Sequence, residues 1–198
     1  MTQSGQATML ARMDDGTAPG AERYLPGTDM SRFIHDMMEF VGLDDADVAA
    51  IRRSAPLVLR HAEELTTALY DHFLKFPRSA EFFLRDDGSV DAERVERRKH
   101  SLARWLRETA EVATGSEFSY YLLAVGLSHS NRPRGPGGTI PAHLMIGAMS
   151  LAQTALTGVF AGELGPDEAA AASAAWNKLL LVNLSVLLLG YLPPRPIR

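Results

Sequence analysis

The sequence predicts an all-α protein folded as a single domain. Three observations carry that expectation. Apolar residues recur at helical spacing in successive segments bounded by capping residues, Gly and Pro. No convincing series of alternating apolar and polar residues marks a set of strands. At 198 residues the chain is long enough for one full hydrophobic core and short for two.

Residues 1–26 are rich in Gly, Ser, Thr, Ala and Asp without a hydrophobic period, and read as a flexible tail. Thr28 or Asp29 then caps a first helix carrying Phe33, Ile34, Met37, Met38 and Phe40, ended near Gly42. Asp44 or Asp45 opens a second helix, in which Pro56 marks a bend or restart. Leu57, Leu65, Leu69, Phe73 and Leu74 extend the stripe to Pro77. A short turn around Phe82, Phe83 and Leu84 leads to the Asp86-Asp87-Gly88 turn. The next helix, about 90–113, is charged on one side and sets Val95, Leu102, Trp105 and Leu106 on the other. Another runs over about 117–129 and stops at the Gly- and Pro-rich loop Asn131–Gly138. Two long apolar helices, about 141–162 and 167–191, are separated by Gly165-Pro166. No internal repeat is present. Residues 193–198 form a short C-terminal tail after a domain spanning 27–192.

Composition removes several function classes. A net charge of -4 gives no electrostatic footprint for nucleic acid. With no cysteine there are no disulfides, iron–sulfur clusters or thiolate-bound metals, so a metal would need His or carboxylate. The polar N-terminus is not a secretory signal, which fits a cytoplasmic protein. The apolar run Leu179–Tyr191, broken by Asn183 and Ser185, is shorter than the ~20 residues a membrane span needs. A buried helix and no membrane partner are therefore expected. There is no P-loop, dinucleotide fingerprint, His-Glu-x-x-His or Gly-x-Ser-x-Gly.

Six histidines remain: His35, His61, His72, His100, His129 and His143. Five sit in polar helical stretches or at helix starts. His129 ends the apolar segment Tyr120–Leu127 just before the loop. That is a fitting place for a single-His haem ligand, whose other ring nitrogen ordinarily donates to a backbone carbonyl. Spacing alone still favours a helix-terminal histidine answering the helix dipole.

Several motifs occur together in order. Tyr120 to His129, ending Val-Gly-Leu-Ser-His, resembles the segment carrying the proximal haem histidine in protoglobins. Thr139-Ile140-Pro141 is similar to that family's opening of the following helix, and Arg23-Tyr24-Leu25-Pro26-Gly27 to its lead-in. Ala68–Leu74 resembles the helix bearing the distal tyrosine in protoglobins and globin-coupled sensors. Arg104-Trp105-Leu106 resembles the next distal helix, and Trp176-Asn177-Lys178 the start of the last one. Departures exist: Ser130 and Leu69 replace a His and a Trp common in the archaeal members. Sensor members place the ligand nearer Tyr121 or Leu122 and have a shorter loop.

This resemblance implies a globin-like fold with an extra N-terminal helix. It implies one non-covalent haem b (iron protoporphyrin IX) with His129 as the axial metal ligand and a sixth position open to O2, CO or NO. Tyr70 would donate its hydroxyl to bound O2, and Leu102 matches a position that crowds the distal face. Arg97, Arg98 and Lys99 are candidate propionate partners but read more simply as a solvated helix face. Gas sensing or binding is the implied function. The alternative is a haem enzyme detoxifying NO or reactive oxygen with a separate reductase. No transmitter segment follows Tyr191, so output is expected through a separate signalling partner or a homodimer of the last two helices.

Overall fold

A computed structural model describes residues 29–111 and 116–192. Both expected tails, the Arg23–Gly27 lead-in and any cover that residues 1–22 give the C-terminal helices lie outside the described residues. Eight α-helices make up the described fold. The first is α1 (Met30–Phe40), capped by the Asp29 side chain accepting from the Arg32 N–H at 3.0 Å. Gly42 turns the chain with φ +64°. Next comes α2 (Asp45–Arg60), started by a reciprocal capping box between Asp44 and Asp47.

Pro56 does not restart the helix as expected; α2 runs straight through it. Pro56 and Arg52, whose carbonyl loses its partner, both lie on the exposed side of α2, where water can replace the missing bond. The break falls instead at His61, before α3 (Ala62–Lys75). Short α4 (Pro77–Ala80) and a 3-10 turn (Glu81–Phe83) follow. Then come α5 (Ala92–Ala110), α6 (Ser116–Asn131), α7 (Ala142–Glu163) and α8 (Pro166–Leu189).

Helix α8 is the axis of the molecule. It packs on α7, α6, α2 and α1, and buries Trp176, Leu179, Leu180, Val182, Val186 and Leu187 among others. Its small residues Ala169, Ala172 and Ala175 are also buried, letting neighbours come close. Trp176 therefore lies well inside the last helix rather than at its start. Its indole N–H donates to Ser54 Oγ at 2.9 Å, while Ser54 donates to the Ala50 carbonyl at 2.8 Å. Asn183, buried in the apolar run, donates to Thr109 Oγ1 at 3.0 Å, so its burial leaves that amide satisfied.

The Leu179–Tyr191 run belongs to a helix of 24 residues, so its shortness was no guide to membrane crossing. By length and composition α7 and α8 would each suffice to cross a bilayer; more than half of the α8 stretch is buried in this fold, and 22% of the α7 stretch. Helix α8 is the buried helix that the apolar run leads one to expect. Its neighbours cover it within one chain, and the uncovered apolar surface sits on α7.

Candidate functional site

Helix α6 faces α8 with Phe118, Ser119, Leu122 and Gly126, all buried. The crossing is closest at two glycines. A Cβ on Gly126 would fall inside the Leu187 carbonyl, and one on Gly190 would lie 2.5 Å from the Gly126 carbonyl carbon. Ser130 Oγ adds a bond to the Gly190 carbonyl at 2.6 Å. The last turn of α6, which carries His129, is therefore fixed to the end of α8. From the other side Ile140 N–H donates to the His129 carbonyl at 2.9 Å, tying down the far end of the loop.

The His129 ring is the least exposed chemistry in this turn. Burial, with a smaller push from the Arg98 charge, takes its pKa down to about 4. A helix C-terminus would favour the protonated ring, but desolvation wins here, so the imidazole is neutral at physiological pH. Nδ1 is buried without a hydrogen-bond partner. The other histidines differ: His35, His72, His100 and His143 are exposed. His61 is held between Glu64 at 3.0 Å and Glu163 at 2.6 Å.

Tyr70 comes from the buried side of α3. Its ring meets Phe73 and Phe83 edge-on at 5.6 and 5.5 Å, and those two rings stack with each other. Burial raises the phenol well above its ordinary pKa, against a partial offset from Arg98, so the hydroxyl stays a proton donor. Across from it, Tyr121 of α6 stacks on Phe118 and carries the Arg104 guanidinium 5.3 Å above its ring.

The Arg98 charge pulls the pKa values of Tyr70, Tyr121 and His129 down, in each case as a smaller influence than burial. Its neighbours behave otherwise: Arg97 pairs with Glu93 and Lys99 with Glu96 on the outer side of α5. The solvated-face reading holds for Arg97, which is exposed, and fails for Arg98, which is half-buried without a carboxylate among the described residues. The sequence held a signal. Positions three and four away from Arg98 are Val95, Ser101, Arg94 and Leu102, none of them acidic.

Leu102 lies one turn beyond Arg98. It lines a small apolar cavity between α3, α5 and α7 with Leu65, Leu69, Trp105, Ala152 and Leu156. Neither Tyr70 nor His129 lines that cavity, so Leu102 is not brought together with either of them there. A larger hollow, lined by Ala50, Arg53, Asp167 and Glu168 between α2 and α8, contains none of these residues.

The arrangement suits a planar, metal-bearing, largely apolar group. Among the described residues no three His, Asp or Glu side chains gather to hold a bare metal ion. One neutral, orphaned imidazole can complete a metal whose remaining donors come with a macrocycle. Aromatic rings of α3 and α6 supply apolar walls. Helix α5 packs on α3 and α2, and α6 on α8 and α1.

The family model that matches is described as Protoglobin, over residues 30–194. The heme-based aerotactic transducer HemAT of Halobacterium salinarum is 26% identical over 150 residues, covering 76% of this chain. The chain spans 28% of that relative's length. Among solved structures, the globin domain of the Geobacter sulfurreducens globin-coupled sensor superposes with a TM-score of 0.65 at 19% identity, covering 79% of this chain and 96% of that one. The ferric globin domain of E. coli DosC gives 0.64 at 15%, covering 79% and 97%.

Proposed function

The chain belongs to the protoglobin family and has a globin-like all-α fold, and from that premise we propose that it binds one haem b and serves as a gas-binding sensor. The observation that carries the reading is the neutral His129 imidazole at the end of α6, its Nδ1 buried without a hydrogen-bond partner. The relative's name, a heme-based transducer of aerotaxis, supports a sensory role.

Bound haem supplies an iron able to take up a diatomic gas such as O2, CO or NO reversibly. The chain does the rest. His129 holds the group from the α6 side through one ring nitrogen, and the α6–α8 crossing keeps that turn in place. Tyr70, protonated and ringed by Phe73 and Phe83, would offer its O–H to a polar gas ligand. Leu102 and its cavity would add apolar space. The absence of cysteine makes attachment non-covalent.

A separate signalling partner and a homodimer built from α7 and α8 complete the proposal. The test is the visible spectrum of purified protein in ferric, ferrous and CO-bound forms. His129→Ala should remove the axial bond and sharply weaken haem retention. A variant with an unchanged ferrous spectrum would assign the ligand to another residue.

A further inference from the structure

Among the described residues, His129 Nδ1 and Arg134 Nε are both buried without a hydrogen-bond partner. Leaving a buried polar group unmet is costly, and two so near in sequence ask for a common cause. The oxygens around them supply it, because each already takes a donor. The Leu127 carbonyl accepts from Ser130 Oγ and from Asn131 Nδ2, both at 3.2 Å. The Ser128 carbonyl accepts from Arg132 N–H at 3.3 Å, and the His129 carbonyl from Ile140 N–H at 2.9 Å.

Two hydroxyls flank the histidine. Ser130 Oγ is committed to helix contacts: it donates to the Gly190 carbonyl at 2.6 Å and accepts from Asn131 Nδ2 at 3.0 Å. Ser128 Oγ is claimed from outside the helix, by the Arg134 guanidinium, which also donates to the Ser128 carbonyl at 3.5 Å. The loop is built to bring Arg134 there. Gly135, at φ +52°, lies so close to the Leu84 carbonyl that a Cβ would stand 2.6 Å away. A Cβ on Gly137 would stand 2.7 Å from the Phe82 ring. Arg134 N–H closes the loop on the Gly138 carbonyl at 2.6 Å.

We infer that Arg134 is a positioning residue for the axial histidine: by occupying Ser128 Oγ it denies His129 Nδ1 an acceptor. This role rests on haem binding through His129, as proposed above. A neutral imidazole carries one proton, on Nδ1 or on Nε2. An acceptor at Nδ1 fixes the proton there, leaves Nε2 free for a metal and makes it a stronger donor. Here a proton on Nδ1 would be a buried donor with nothing to meet, so the chain favours it on Nε2. Binding a metal through Nε2 then requires the proton to move to Nδ1 without compensation. The result is a weak axial bond, set by a loop residue and not by the helix that carries the ligand.

The first measurement is made on the haem-free full chain. Nitrogen NMR of labelled histidine at mildly alkaline pH gives the His129 tautomer in wild type, Arg134→Gln, Arg134→Met, Ser128→Ala and Ser128→Ala/Arg134→Gln. Wild type should carry the proton mainly on Nε2. Either Arg134 variant frees the Ser128 hydroxyl and should move it to Nδ1. Ser128→Ala and the double variant have no hydroxyl to offer and should match wild type. With haem bound, the ferrous iron–histidine stretch in resonance Raman should rise in the Arg134 variants alone. Transfer of their haem to excess haem-free myoglobin should be about fivefold slower, the worth of one hydrogen bond. A wild-type ring already protonated on Nδ1 overturns the inference before any variant is made. So does a shift that persists in the double variant, or folded Arg134 variants that leave tautomer and stretch unchanged. Wild type that takes up no haem overturns the reading of the site itself, and that failure is seen apart from the tautomer.

Discussion

His129 and Tyr70 show how far burial can override a residue's ordinary chemistry. One ring is made too weakly basic to hold a proton, the other too weakly acidic to lose one, and both are thereby ready to engage a neutral partner. Tyr70→Phe keeps the ring contacts with Phe73 and Phe83 and deletes only the hydroxyl. Losing that hydrogen bond should cost about 1–3 kcal/mol, so O2 release measured by stopped flow should be roughly tenfold to a hundredfold faster. CO release should change much less; equal effects on both gases would make the residue's role steric. The sequence nominates both: His129 as the best placed of six histidines and then by resemblance, Tyr70 by resemblance alone. For Arg98 the lack of an acidic residue one turn away was a signal, but its half-buried depth was not legible, because whether an arginine faces water or the interior depends on the rotation of α5.

At the scale of elements, helix starts and stops follow local chemistry, and α1, α2 and α6 to α8 all begin within a few residues of where capping residues, Gly and Pro place them. Pro56 is the exception, because an exposed position lets a helix tolerate what the isolated dipeptide discourages. Contacts between elements are what sequence conceals. The hinge between α2 and α3 is held to the end of α7 by Glu163, which takes Arg60 at 2.7 Å and His61 at 2.6 Å. Hydrogen bonds to Glu64 and then Glu163 raise the His61 pKa, and His61 chiefly lowers that of Glu163. The histidine's contribution is complete below the unfolded value of 6.5 and lost as pH climbs through its raised folded value. The glutamate's is complete above 4.5 and lost as pH falls through its lowered one. The clasp is therefore strongest between 4.5 and 6.5. Urea midpoints at pH 5.5 and 8.5 should differ less in His61→Gln than in wild type; an unchanged difference would exclude the clasp. The α6–α8 crossing makes a sharper demand. Gly126→Ala drives a methyl into backbone and should destabilise by roughly 2–4 kcal/mol in denaturant titration. A loss within a few tenths of a kcal/mol would mean that the helices separate freely.

Taken whole, the molecule covers α8 and leaves α7 bare. Ile146 of α7 is 51% exposed, and Leu181 of α8 is 40% exposed. Of the apolar residues of α7, only Met149, Leu156 and Phe160 are buried. In the proposed homodimer a twofold pairing of identical chains would cover these residues. Light scattering at micromolar concentration should give a dimer, and Ile146→Glu should give a monomer of unchanged helicity. A wild-type monomer would exclude the pairing. The centrality of α8 also has a consequence for the chain's manufacture. Synthesis proceeds from the amino end, so the rod on which α1, α2, α6 and α7 all lean leaves the ribosome after all four of them. Until Trp176 and the leucines behind it emerge, four finished helices hold greasy sides toward a centre that has not yet been made. The nascent protein must spend most of its birth waiting for its own keystone.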